Sequence, residues 1–148
     1  MSKLSFNEKS TIGTMAATAL IALLYARSAW QLWQAEQLHT QSMMGLAAGL
    51  TALLVVVLVV YHIVIALVAR PEEDDERDRL IASRAGSIGG TILGIGVIGV
   101  VLQILVGGMF GDPVAGSPVL IANALMAVVF VATMAELSMK LVYYRRGI

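Results

Sequence analysis

The 148-residue sequence predicts an all-α fold, an integral membrane four-helix bundle of two helical hairpins joined by a charged cytoplasmic segment. Three observations predict it. Hydrophobic residues make up 58% of the chain and charged residues 14%, a balance foreign to soluble domains. The apolar residues fall in four long blocks instead of at helical or strand periods, each long enough for the roughly 30 Å hydrocarbon core of a bilayer. The charge collects at the block ends, above all in the stretch "RPEEDDERDRLIASRAG" that ends at Gly86.

The first span is expected over residues 11–33, after an N-terminus carrying Lys3 and Lys9. That apolar stretch is too long for a signal-peptide core and lacks a cleavage pattern, so it reads as a retained span. The second span covers residues 43–69 and stops at Pro71, because proline lacks the N–H that would continue the helix and disfavours a helical residue before it. The third covers residues 86–110. The fourth covers residues 117–144, with Ser117 as N-cap, Pro118 as first helical residue and "GDPVAGSP" as the preceding turn. The two halves show no residue-by-residue repeat.

Between the second and third spans, acids precede bases. Glu73 to Arg77 and Asp75 to Arg79 are i,i+4 acid-to-base pairs in the favourable orientation, and acids near a helix start suit its dipole. A short cytoplasmic helix over about 74–85 is therefore expected to run into the third span. Its residues Asp75, Glu76, Arg77, Arg79, Leu80 and Ile81 form a candidate partner surface. The segment's six carboxylates lack the alternating ligands and glycine of a calcium loop, and no strand precedes the glycines to make a phosphate loop.

Lys and Arg set the orientation, since short loops rich in them stay cytoplasmic. They occur at the N-terminus, in the central loop (Arg70, Arg77, Arg79, Arg84) and at the C-terminus (Lys140, Arg145, Arg146). The two remaining loops have none. Both termini are therefore expected on the cytoplasmic side of the plasma (inner) membrane. Trp30 and Trp33 at one end and Tyr143 and Tyr144 at the other suit the two interfaces.

Polar residues inside spans are costly, roughly 3 kcal/mol for a charge at the bilayer centre, and each requires a reason. By depth, Arg27, Gln103 and Asn123 fall in the outer half, and His62 and Glu136 in the inner half. Two polar layers follow as an expectation: Arg27 with Gln103 and Asn123, and Glu136 with His62. The favoured reading of Arg27 is snorkelling past the tryptophans, and of Glu136 pairing with Lys140 one turn on. His62 reads equally as a neutral interhelical bond or a titrating group.

No cofactor is predicted. Bis-histidine haem needs two histidines at one depth, whereas His39 sits in an outer loop and His62 in the inner half. There is no cysteine, which excludes disulfides and thiolate metal sites. Ten basic and ten acidic residues balance to zero, so nucleic acid is not an expected partner.

The third span carries eight glycines. Gly89, Gly96 and Gly107 align with Gln103 on one seam, and Gly86, Gly90, Gly94 and Gly108 form another. Helix three is thus expected to be the central, most enclosed helix with two neighbours, one of them open to another subunit. Gly13 and Ala17 give the first helix a matching small face, whereas the valine-rich middle of the second is expected to face lipid.

The run Asp75-Glu76-Arg77-Asp78, followed by Leu80-Ile81 and then Arg84-Ala85 at the entry to a span, resembles small predicted membrane proteins grouped as domain of unknown function 2178. The resemblance covers the central loop and the four-span layout. It implies that the charged segment is a family feature and brings no activity with it. With no nucleophile–base constellation, paired carboxylates or metal spacing, an enzyme is not expected. The leading expectation is a non-enzymatic accessory or regulatory subunit, in a homo-oligomer or larger membrane complex. A small transporter or channel is the alternative, and a haem-carrying electron-transfer anchor the second.

Overall fold

A computed structural model describes residues 5–68 and 75–146, which form four helices: α1 (Phe6–Gln34), α2 (Thr40–Val68), α3 (Glu76–Met109) and α4 (Pro118–Arg146). All four are long and apolar enough to cross a membrane. The expected stop at Pro71, the pair from Glu73 to Arg77, and Lys3 lie outside the described residues.

Helix ends follow local chemistry. A capping box starts α1: the Ser5 hydroxyl accepts from the Glu8 N–H at 3.2 Å, and the Glu8 carboxylate accepts from the Ser5 N–H at 2.9 Å. Asp75 caps α3, accepting from the Glu76 N–H at 2.7 Å, and Glu76 and Asp78 in the first turn suit the helix dipole. From Glu76 onward the charged segment and the third span are thus one unbroken helix of 34 residues. Ser117 caps α4 through the Leu120 N–H, with Pro118 in the first helical position as the sequence predicts. The turn between α3 and α4 places Gly111 at φ 71°, where a side chain would be strained, and the Asp112 carboxylate accepts from the Val114 N–H at 2.8 Å.

The helices pack in the order α2, α1, α4, α3. Each hairpin is internally paired, α1 joins the hairpins by lying on α4, and α2 reaches α4 at few positions. Among the described residues no extensive interface joins α2 to α3. The bundle is therefore open along that side. Helix four, not helix three, is its centre: most α4 residues are half-buried around the whole circumference. The reason is that α4's alanines 122, 124, 127, 132 and 135 are dispersed around the helix, so neighbours can approach from several directions.

The first glycine seam is used inside the chain. Ile81, Ala85, Gly89, Val100 and Gly107 are buried along one stripe of α3. A side chain at Gly89 would meet Glu136 Cβ at 2.9 Å and the Ala132 carbonyl at 3.3 Å; one at Gly96 would fall on Val128 and one at Gly107 on Ala115. The second seam is not packed against: among the described residues nothing lies within 4 Å of the position a Cβ would take at Gly86, Gly90, Gly94 or Gly108. Gly13 of α1 faces α2, where the Tyr61 ring occupies its missing side chain and the Tyr61 hydroxyl donates to the Lys9 carbonyl at 2.7 Å. The valine-rich middle of α2 is exposed, from 37% at Val57 to 59% at Val56.

Candidate functional site

Antiparallel packing puts both chain termini at one end of the bundle and the two hairpin loops at the other. At the loop end, Asn123 joins three helices. Its Oδ1 accepts from the Tyr25 hydroxyl of α1 at 3.2 Å, and its Nδ2 donates to Val119 O at 2.8 Å and to Met43 Sδ of α2 at 3.7 Å. Tyr25 and Met43 are 5% and 3% exposed, so this contact is enclosed. The ring of Tyr25 also tilts onto Phe130, centroids 5.9 Å apart.

Arg27 and Gln103 do not join Asn123. Both are exposed, and neither side chain has a hydrogen-bond or ion-pair partner among the described residues. The expected outer polar layer is replaced by Tyr25–Asn123–Met43, because Tyr25 lies on the α1 stripe with Thr11, Thr18 and Ile21 while Arg27 lies two residues off it. The signal for Tyr25 was present in the seven-residue spacing of Thr11, Thr18 and Tyr25.

The termini end separates His62 from Glu136. His62 Nδ1 lies 2.7 Å from the Leu58 carbonyl and Nε2 lies 3.1 Å from Ser10 Oγ, so the arrangement assigns the proton to Nδ1 and makes Ser10 the donor to Nε2. Glu136 instead pairs with Lys140 at 2.9 Å in the i,i+4 direction, both side chains partly exposed. Helix geometry favours this local pair, since α2 carrying His62 packs on α1 and α4 carries Glu136 toward Gly89 of α3.

Of the candidate partner surface, Asp75, Glu76, Arg77, Arg79 and Leu80 are exposed. Ile81 is not, at 1% exposure; it and Ala85 anchor the segment to the chain's own interior. Arg77 reaches across to the Tyr144 carbonyl at 3.3 Å, placing a cation on the C-terminal end of α4.

Two grooves flank α4 on opposite faces. An apolar trough of two adjoining cavities, about 350 and 340 Å³, shares Ala127 and Val131 as its floor. Its walls are Ile92, Ile95 and Gly96 of α3, and Ala22, Ala26 and Ala29 of α1. The other face holds an apolar cavity of about 230 Å³ between α3 and α4, lined in part by Gly86, Gly90, Val129 and Thr133. At the termini end a polar cavity of about 230 Å³ is lined by Asn7, Ser10 and Thr11 of α1, Asp78, Arg79 and Ala82 of α3, and Lys140 and Tyr144 of α4. Asn7, Ser10 and Thr11 escaped the sequence reading, and Tyr144 was expected only as an interfacial aromatic, because only the fold brings both termini to one place.

No protein-family model, curated protein or solved structure matches this chain. Its chemistry must be read from these groups.

Proposed function

We propose that the chain is a non-enzymatic multi-pass protein of the plasma (inner) membrane, both termini cytoplasmic, serving as an accessory or regulatory subunit in an oligomer or larger membrane complex. The trough over Ala127 and Val131 carries this reading. Within a bilayer no hydrophobic driving force separates helix from lipid, so helices associate where small residues permit close packing. The trough has that character, with four alanines and Gly96 among its walls and floor, and is wide enough to be bordered by three helices. Gln103 adds a polar group free to bond across an interface in an otherwise apolar stretch. The Lys and Arg distribution supports the orientation.

The test is the particle released from native membrane in mild detergent. A defined homo-oligomer or a co-purifying membrane protein is expected, and Ala26→Leu with Ala127→Leu, which fill the trough, should release the chain as a monomer. Gly45→Leu, placed where nothing lies within 4 Å, serves as the control. A strictly monomeric wild-type particle with nothing bound removes the proposal. Orientation is read separately: single cysteines at Glu36 or Asp112 should label from the outside of intact cells, and one at Arg146 should not. The natural chain has no cysteine to interfere.

A further inference from the structure

We propose that the cleft on the face of α4 away from the trough holds one zwitterionic aminophospholipid, phosphate in the polar cavity and an acyl chain in the glycine-floored groove. The inference rests on the membrane reading above but not on subunit association, which uses the opposite face. Residues 127 and 131 floor the trough, whereas 129 and 133 line the cleft, and two residues are about 200° around a helix.

The two cavities stack along the same helix stripes. On α3 the polar cavity takes Arg79 and Ala82, and the apolar one continues with Gly86, Gly90 and Leu93, three or four residues apart. On α4 the order Tyr144, Lys140, Glu136, Thr133 and Val129 runs in step. From Arg79 to Leu93 the helix rises about 21 Å, close to the depth of one bilayer leaflet with its headgroups. A polar chamber above an apolar groove of that length has the dimensions and polarity of a lipid.

The lining chooses the headgroup. Arg79 and Lys140 supply two cations for a phosphate, and Ser10, Thr11 and Asn7 border the same space with neutral polar groups. Basic pockets between helices at the cytoplasmic interface hold the phosphates of anionic headgroups, and this cavity differs from them in its acids. Asp78 also lines the cavity, half-exposed and with no side-chain partner among the described residues, and Glu136 already engages Lys140. Two carboxylates beside two cations disfavour a headgroup with net negative charge. They suit one that carries an ammonium for Asp78 and a phosphate for Arg79 and Lys140. The groove below is lined by α3 and α4, and Gly86 and Gly90 project nothing into it.

The full chain in nanodiscs or mild detergent is titrated with phosphatidylethanolamine, phosphatidylglycerol or inorganic phosphate and read by native mass spectrometry, which counts chains and lipids separately. One phosphatidylethanolamine per chain is expected, whatever the oligomeric state. Arg79→Gln and Lys140→Gln should each weaken retention about fivefold, the usual effect of one cation near a headgroup. Asp78→Asn should shift preference toward phosphatidylglycerol. Gly90→Leu should block the groove, while Gly99→Leu, at another position with nothing within 4 Å, should leave retention unchanged. Circular dichroism confirms that each variant is folded. Equal retention by wild type and all variants, wild-type preference for phosphatidylglycerol, or displacement of the lipid by inorganic phosphate would overturn the proposal.

Discussion

Gly13 shows how much a single missing side chain decides. With Tyr61 lying across it and donating to the Lys9 carbonyl, the α1–α2 contact depends on hydrogen at that Cα. Gly13→Ala should lower stability by roughly 1–3 kcal/mol, the usual cost of overpacking. Gly45→Ala, with nothing within 4 Å, should be neutral or slightly stabilising. Thermal unfolding in detergent, followed by circular dichroism, distinguishes the two. Asn123 is the other decisive residue, since one amide contacts α1 and α2 from α4. A double-mutant cycle of Tyr25→Phe with Asn123→Leu should give a coupling of about 0.6 kcal/mol, the typical strength of an interhelical hydrogen bond in a membrane. Additive effects would show that the two side chains act independently.

Among the elements, α3 departs most from its sequence reading. The charged segment was expected as a short helix offering Leu80 and Ile81 to a partner. From Glu76 it runs into the third span as expected, forming the first turns of the 34-residue helix, but Ile81 turns inward with Ala85 instead of facing a partner. The hydrophobic pair is split by the helix itself: adjacent residues point about 100° apart, so only one of them can face the core. Ile81→Ala should therefore cost about 2–5 kcal/mol as a buried cavity, whereas Leu80→Ala, at 45% exposure, should stay within about 0.5 kcal/mol. Chemical denaturation in detergent measures both. Similar losses at the two positions would mean that Leu80 is covered as well. Two arginines of the segment lie near Tyr144 but do different things. Arg77 binds the end of α4, while Arg79 borders the polar cavity.

At the scale of the molecule, the order α2, α1, α4, α3 governs everything else. A closed bundle would seal α2 against α3. The open order leaves two unlike faces on α4, one apolar and floored by Ala127 and Val131, the other running from Lys140 down to Val129. Cysteines replacing Met15 and Ser138, whose side-chain atoms lie 3.9 Å apart across α1 and α4, should cross-link readily. Cysteines replacing Val57 and Leu93 on α2 and α3 should not within one chain. Efficient intrachain cross-linking of the second pair would indicate a closed bundle and overturn the open order.

The four helices, their approximate limits and the cap at Ser117 were legible in the sequence, because block length, proline and capping chemistry act along the chain. Depth was legible too, since rise per residue is constant: Arg27, Gln103 and Asn123 do lie toward the loop end. Which of them meet was not. Contact depends on azimuth and on the choice of neighbour, and those follow from how small residues on different helices fit together. The eight glycines of α3 drew attention to the wrong centre, because a glycine seam shows that a helix can be approached but not by how many partners. Only packing decided that α4 is surrounded, that one glycine seam is filled and the other open, and that Ser10, Arg79 and Lys140 share a cavity although they are distant in sequence. The sequence by itself determined length, polarity and order of the helices, which are properties of local chain chemistry; their mutual arrangement comes from interhelical van der Waals fit, which no single segment contains.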